Sequence, residues 1–184
     1  MPAPVPTEPT ERDVYLDNLT KWFSDTPHQP THHVMLTLKQ YESFVDSAPG
    51  EASYSLPRIR VSRESDLPRL ANRFMNKANQ YVLKGKCHSR RLTSIVCAER
   101  GTLRNHLHLH ALIEKPAEVS EGAFARAIRK AWRRQPMAYH TVSVEPFRSC
   151  LGANLNYVTK QGFDRALYWH VSSPAQTGDI DRVA

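Results

Sequence analysis

A run of alternating histidine and apolar residues is the strongest structural constraint in this sequence. It reads Asn-His-Leu-His-Leu-His-Ala-Leu-Ile over residues 105–113. Successive side chains of a β-strand point to opposite faces of the sheet, so His106, His108 and His110 share one face. The other face carries the apolar residues Leu107, Leu109, Ala111 and Ile113. The run therefore predicts a half-buried strand that turns its apolar side to the core and presents a row of imidazoles on the other side.

The rest of the chain predicts helices and further strands around this one. Apolar residues recur at helical spacing, and capping or turn residues bound each segment. The predicted helices cover residues 13–24, 67–81, 121–134 and 150–161. The predicted strands cover residues 33–38, 92–99, 106–113, 140–146 and 168–171. Asp66, Ser120 and Ser149 are placed to cap the last three helices at their N-termini.

The order of these elements indicates the fold class. From residue 31 it is strand, helix, strand, strand, helix, strand, and then one more helix. This order predicts an α+β domain with a ferredoxin-like or RRM-like antiparallel sheet (β-α-β-β-α-β), helices on one face, and an added C-terminal helix. We expect an N-terminal extension with a short helix over residues 1–30, the folded domain over 31–172 and a flexible tail over 173–184.

The alternating histidines also predict a metal site, although a solvent-facing strand that merely contains histidines would show the same pattern. Imidazole is the commonest metal-ligating side chain. Glu99 ends the preceding strand, across the Gly101 turn. A symmetric hairpin sets this carboxylate opposite His106, whereas a bulge or an asymmetric loop sets it opposite or diagonal to His108. Two imidazoles and one carboxylate leave coordination positions open, which suits Mg²⁺ or Mn²⁺ bound together with phosphate oxygens.

The last predicted helix carries a tyrosine and a lysine on one side. Residues 149–162 read Ser-Cys-Leu-Gly-Ala-Asn-Leu-Asn-Tyr-Val-Thr-Lys-Gln-Gly. Tyr157 and Lys160 are three positions apart and therefore neighbours on the helix surface. The packing stripe consists of Leu151, Leu155 and Val158. Taken alone, this pattern is just as typical of an ordinary amphipathic helix that has no chemical role.

Three segments in this order resemble the HUH endonucleases, in particular the single-tyrosine replication-initiator (Rep) proteins of rolling-circle plasmids, phages and circular single-stranded DNA viruses. Residues 34–40, Val-Met-Leu-Thr-Leu-Lys-Gln, are similar to the family's first motif, a strand that ends in Leu-Thr-x. Residues 96–99 and 108–114 contain a Glu followed by the family's His-hydrophobic-His pair. Residues 156–162 contain its Tyr-x-x-Lys. The sequence has no Walker-type phosphate loop of the kind that accompanies a helicase domain.

This resemblance implies a metal-dependent DNA endonuclease that nicks and rejoins single strands and starts rolling-circle replication. Tyr157 would be the nucleophile, forming a covalent 5′-phosphotyrosine, and Lys160 would assist it. The implied ligands of Mg²⁺ or Mn²⁺ are His108, His110 and Glu99. These two histidines are preferred over His106 because Ala-Leu-Ile follows them directly, as in the family. The implied substrate is the single-stranded DNA of an origin stem-loop, with host replication proteins as further partners.

Two other functions fit parts of the pattern. Conjugative relaxases and single-strand transposases use the same chemistry, and relaxases usually draw a third histidine into the metal site, which here would be His106. A non-catalytic RRM-like nucleic-acid-binding module would instead need exposed aromatic residues on its central strands. This sequence has histidines at those positions.

The charge of the chain favours a polyanionic partner. Lys and Arg number 25 against 18 Asp and Glu, a net charge of +7. Such a surplus is typical of proteins that bind nucleic acid, although a basic enzyme with no special partner would show the same charge. The predicted DNA-binding residues are Arg126, Arg129, Lys130, Arg133 and Arg134 on one helix, with Arg58 and Arg60 in a loop. A basic helix face that is merely solvated would show the same pattern. The sequence predicts no secretory signal and no membrane contact, and therefore a cytoplasmic location in a bacterium, or the host nucleus for a eukaryotic virus.

Overall fold

The computed structural model of the protein describes residues 9–39, 64–101, 107–161 and 166–170. Within them the chain forms an α+β structure with four α-helices and a five-stranded antiparallel sheet. The helices are α1 (Glu11–Ser24), α2 (Leu67–Leu83), α3 (Glu121–Arg133) and α4 (Leu151–Val158). The strands are β1 (His32–Leu38), β2 (Ser94–Arg100), β3 (Leu107–Ile113), β4 (Ala138–Pro146) and β5 (Ala166–His170). Most of the predicted element boundaries are within two residues of these; α4 ends three residues before its predicted end.

The strands lie in the order β4-β1-β3-β2-β5, and each strand is antiparallel to its neighbours. The histidine strand β3 is therefore the central strand of the sheet. Its two neighbours, β1 and β2, decide which side chains lie beside the histidines. No helix in the described part of the chain is long and apolar enough to cross a membrane.

One face of the sheet forms the main hydrophobic core under α2 and α3. The apolar side of β3 packs there with Phe74 of α2 and Trp132 of α3, whose rings meet edge to face with centroids 5.7 Å apart. Trp132 is fully buried, and its Nε1 donates hydrogen bonds to the carbonyl oxygens of Thr37 and Tyr139. The prediction that the apolar residues of β3 face the core is confirmed.

The other face of the sheet is covered in part by α1 and α4. A second apolar cluster joins the sheet residues Ile95, Cys97 and Leu112 to α1 and α4. The helices contribute Leu19, Phe23, Leu155 and Val158. Helices thus lie on both faces, whereas the sequence indicated one, because the packing stripes of α1 and α4 also need an apolar partner. α4, the helix with Tyr157, consequently packs on the histidine side of the sheet.

The predicted N-cap is present at α3 but not at α2 or α4. Ser120 accepts a hydrogen bond from the Ala123 amide, as predicted. Asp66 makes no side-chain capping bond within the described chain, because it ends a short 3₁₀ turn and its backbone is already helical. The N-cap of α4 is Cys150 rather than Ser149, and Asn154 secures this end by donating to the carbonyl oxygen of Cys150.

Candidate active site

The register of the hairpin settles which histidine faces Glu99. β2 and β3 pair Glu99 with His108 and Cys97 with His110. Directly opposite residues in antiparallel strands point to the same face, so Glu99, His108 and His110 lie together on the side covered by α1 and α4. Glu99 therefore stands opposite His108, and the pairing of Glu99 with His106 that a symmetric hairpin predicts is wrong. His106, the other predicted candidate, lies outside the residues that the structure describes.

His110 is a buried residue, although its strand face was expected to be accessible. Its exposed fraction is only 4%. Its Nε2 lies 2.7 Å from Oε2 of Glu99. Burial lowers the pKa of His110 to about 4, although the charge of Glu99 opposes the shift. At neutral pH the ring is therefore uncharged and carries a single nitrogen-bound proton.

His33 is a member of this site that the sequence analysis did not find. Its Nε2 lies 2.9 Å from Nδ1 of His110, and the two rings are parallel within 7°. Burial lowers the pKa of His33 also. The two histidines lie diagonally across β1 and β3, because β1 pairs His33 with Leu112 and Met35 with His110.

Tyr157 lies over this pair of histidines. Its ring meets the His110 ring edge to face, with centroids 5.5 Å apart, and meets the His33 ring in the same way at 5.6 Å. The side chain nevertheless remains 48% exposed. The phenol is thus held against the histidines on one side and is open to a ligand on the other.

Lys160 connects the tyrosine to the carboxylate. Its Nζ lies 2.8 Å from Oε1 of Glu99 and 4.1 Å from the centroid of the Tyr157 ring. Burial alone would lower the pKa of Lys160. The hydrogen bond and charge of Glu99, together with Tyr157, outweigh burial and raise this pKa. The ammonium group therefore stays protonated throughout the neutral range.

Gln161 fixes the end of the tyrosine helix to the sheet. Its Nε2 donates to the carbonyl oxygen of Arg100 at 2.7 Å, and its Oε1 accepts from the amide of the same residue at 2.8 Å. Arg100 is the residue after Glu99, so this paired contact holds α4 beside the carboxylate. The sequence alone does not reveal this contact, because it depends on where β2 ends.

Cys97 lies next to His110 in the pairing but contributes no charged ligand. It is fully buried, and burial raises the pKa of its thiol to about 12. A metal ligand would have to be the thiolate. Cys97 therefore serves as an apolar core residue beneath α1 and α4.

The predicted ligands are neighbours, but they are not arranged around a common point. Glu99 and His110 already contact each other, and His108 stands opposite Glu99. Among the described residues, no group of three or more His, Cys, Asp or Glu side chains is positioned to hold a metal ion. What the geometry contains is a hydrogen-bonded chain that runs from Lys160 through Glu99 and His110 to His33.

The predicted DNA-binding residues of α3 lie on the other side of the sheet from this chain. α3 packs on the main core with Phe124, Ile128 and Trp132, opposite the face that carries His110. Its outer surface presents Arg126, Lys130, Arg133 and Arg134 as exposed residues and Arg129 as half-buried. The structure therefore does not bring these cations to Tyr157. Arg58 and Arg60 lie outside the described residues.

Comparison with models of known protein families gave no match, and neither did comparison with curated proteins. The site consists of a half-exposed phenol over two neutral imidazoles, beside an ammonium paired with a carboxylate.

Proposed function

We propose that this protein is a metal-dependent endonuclease of the HUH type, of the single-tyrosine kind that starts rolling-circle replication. The observation that carries the proposal is the contact between Tyr157 and His110, whose ring centroids are 5.5 Å apart. The two residues belong to separate sequence motifs. Neither motif by itself requires α4 to pack on the histidine face of the sheet.

The strand order supports a ferredoxin-like plan for the fold, as this proposal requires. In the order β4-β1-β3-β2, the pair β1 and β2 that α2 connects is separated by β3. In the same way, the pair β3 and β4 that α3 connects is separated by β1. Two interlocked β-α-β units of this kind form the β-α-β-β-α-β arrangement. β5 and α4 are then additions at the β2 edge and on the histidine face.

In the proposed reaction, Oη of Tyr157 attacks the scissile phosphorus of a single DNA strand. The bond from phosphorus to the 3′ oxygen breaks as the bond to the tyrosine forms. The phenol loses its proton to solvent, and the leaving 3′ oxygen takes up one proton from solvent. The products are a 5′-phosphotyrosine and a strand that ends in a 3′-hydroxyl. The phosphotyrosine bond retains the energy of the broken ester, so attack by a 3′-hydroxyl reverses the step and joins strands.

Lys160 acts in this reaction through its charge. A phenol is a weak nucleophile until its oxygen carries negative charge. Lys160 is held protonated by Glu99 and lies over the Tyr157 ring, so it stabilises the phenolate and the charge that develops on the phosphate. Because the ammonium keeps its proton, it does not serve as the base that removes the phenol proton.

The donor set fits a divalent cation, although binding would require the side chains to rearrange. Two imidazole nitrogens and a carboxylate lie on adjacent positions of one sheet face. His110, Glu99 and His108 would hold Mg²⁺ or Mn²⁺, which polarises the phosphate oxygens when bound. Binding would require Nε2 of His110 to release its hydrogen bond to Glu99. Lys160 keeps the other oxygen of Glu99 in place during this change.

The accessibility of Tyr157 supports a single-stranded substrate. The Tyr157 ring packs against the face of the sheet, and about half of the side chain is exposed to solvent. A flexible single strand can bring its backbone into such a position more readily than a duplex. An origin stem-loop, which presents single-stranded DNA next to a duplex, is the substrate that we propose.

The decisive experiment is a search for a covalent protein–DNA adduct. The full chain is incubated with Mn²⁺ and a panel of stem-loop oligonucleotides labelled at either end, and then denatured and separated by electrophoresis. We expect label from the 3′ side of the nick to remain on the protein and label from the 5′ side to be released. EDTA should prevent both.

The matched control is Tyr157→Phe, which keeps the ring but lacks the attacking oxygen. An adduct in this variant would contradict the assignment of the nucleophile. Tight binding of the panel with no cleavage by the wild-type chain would instead support the non-catalytic RRM-like module.

A further inference from the structure

His33 is the end of the hydrogen-bonded chain, and the proposed reaction gives it no role. It lies on β1, and its Nε2 is 2.9 Å from Nδ1 of His110. The ring centroids are 5.1 Å apart and the planes differ by 7°. These values describe two rings joined edge to edge by one N–H···N hydrogen bond. The half-buried position of His33 and the Tyr157 ring against it keep the contact in place.

The partners of the chain determine where its protons lie. Glu99 forms an ion pair with the Lys160 ammonium through Oε1, and an ionised carboxylate can only accept hydrogen bonds, so Oε2 is an acceptor as well. Nε2 of His110 must therefore carry a proton and donate it to Glu99. A neutral imidazole carries only one such proton, so Nδ1 of His110 is an acceptor. Nε2 of His33 must then be the donor.

Binding of a cation at Nε2 of His110 would require the opposite arrangement. That nitrogen can ligate only through its lone pair, so the ring proton must be on Nδ1. Nδ1 then donates to His33, whose Nε2 must become an acceptor and whose own proton must lie on Nδ1. Each ring keeps one proton, and each proton is exchanged through solvent from Nε2 to Nδ1.

We propose that His33 is a positioning residue that orients His110 and exchanges its donor role for an acceptor role when His110 ligates a divalent cation. The cation part of this inference rests on the proposed function, whereas the orientation part does not. Imidazole suits the task because it can donate or accept at the same nitrogen position. Outer partners of this kind typically change metal affinity by about 10- to 100-fold when they are removed.

Three substitutions separate this role from simple packing. His33→Gln keeps a side chain that can donate or accept near the position of Nε2. His33→Leu fills the space but leaves Nδ1 of His110 without a partner in a buried position. His33→Asn carries the same amide as Gln on a shorter stem that does not reach Nδ1, and it provides a second loss variant should the Leu variant fold poorly. Met35→Leu is the matched control, because Met35 is the direct partner of His110 on β1 but takes no part in the chain.

The first measurement is the tautomeric state of the histidines by ¹⁵N NMR of the full chain at neutral pH, with signals assigned through the variants. Without metal we expect both His33 and His110 to be protonated at Nε2. With saturating Mg²⁺ we expect both to be protonated at Nδ1. A metal-free His33 protonated at Nδ1 would overturn the orientation part, whatever the protein does to DNA.

The second measurement is Mn²⁺ affinity by electron paramagnetic resonance, without DNA. We expect His33→Leu and His33→Asn to bind about 10- to 100-fold more weakly, and His33→Gln and Met35→Leu to resemble the wild type. Equal affinity in the wild type and both loss variants would overturn the exchange of roles. Failure of the wild-type chain to bind Mn²⁺ at all would overturn both the exchange of roles and the metal-dependent function. The NMR measurement without metal would still test whether His33 orients His110.

Discussion

Lys160 and Glu99 form an ion pair with Nζ and Oε1 separated by 2.8 Å, and this pair ties the tyrosine helix to β2, the strand beside the histidine strand. Glu99 lies on β2 opposite His108, and Lys160 lies two residues beyond the end of α4. The pair therefore joins the two motifs that the sequence could only set side by side. It also places a fixed positive charge beside the Tyr157 ring.

We predict that Lys160→Met slows adduct formation about 10- to 100-fold without abolishing it. The reason is that a charge-assisted hydrogen bond is worth about 1.5–3 kcal/mol, and no bond forms to Lys160 in the reaction. Single-turnover rates of adduct formation at saturating DNA test this. Lys160→Arg keeps the charge and should recover much of the rate, and a Met variant as fast as the wild type would remove Lys160 from the mechanism.

We predict that Tyr157→Phe abolishes both nicking and adduct formation, while the free energy of unfolding changes by less than about 1 kcal/mol. The ring contacts with the two histidines do not involve the hydroxyl group, and the side chain is half-exposed. Adduct assays and chemical denaturation measure the two effects. Tyr139→Phe, a change at an exposed tyrosine on β4, should leave both unchanged. Mass spectrometry that found the nucleotide on Tyr139 or Tyr168 would contradict the prediction.

We predict that Gln161→Ala lowers the rate of adduct formation more than it lowers stability. Its two hydrogen bonds to Arg100 are exposed, so their loss should cost at most about 1–2 kcal/mol of unfolding free energy. The same loss frees the end of α4 that carries Tyr157 and Lys160. The comparison is Asn154→Ala, which removes hydrogen bonds at the start of α4, away from the carboxylate. Equal rates for both variants would show that the Arg100 contact does not position the tyrosine.

The strand that carries the histidines could be predicted because its apolar residues recur at every second position, which fits a strand and not a helix. Alternation over residues 106–113 assigns the apolar residues to one face, and the structure confirms this with Leu109 and Ala111 in the main core. The helical stripe of residues 151–158 could likewise be predicted from the spacing of its apolar residues. The burial of His110 could not, because the ring that covers it belongs to Tyr157, far along the chain.

The role of His33 could not be predicted from its own neighbourhood. β1 begins with two consecutive histidines, and only one can face the site. His32 is buried on the other face, with its ring centroid 4.9 Å from that of Phe124, and its Nε2 lies 2.7 Å from Glu121. The choice depends on the register of β1 against β3, which local periodicity does not determine. The adjacency of β1 to β3 would have been the signal that identifies His33.

We predict that the cations of α3 affect DNA binding but not the chemical step. They lie on the opposite side of the sheet from Tyr157, so they can attract DNA without reaching the scissile phosphate. Replacing Arg126, Lys130 and Arg133 by Gln should lower affinity and flatten its dependence on salt, because fewer counterions are released. The rate of adduct formation at saturating DNA should not change. A large fall in that saturated rate would show that this surface does reach the bound strand at the site.

We predict that His110 makes the protein less stable as the pH falls from 6.5 towards 4. Burial lowers the pKa of His110 from its ordinary 6.5 to about 4, so below pH 6.5 the unfolded chain takes up a proton that the folded chain refuses. The stability due to this residue is complete above pH 6.5 and is lost as the pH approaches 4, with about 2 kcal/mol gone by pH 5.

His110→Gln, which keeps a polar group near Nε2 but does not titrate, lacks this loss. The measurement is the free energy of unfolding of both proteins by denaturant at pH 7, 6 and 5. Their difference isolates His110 from groups that both contain, among them His170, whose pKa burial also lowers, and Glu114, whose pKa burial raises. A difference that stays constant over this range would show that burial does not hold His110 neutral below pH 6.5.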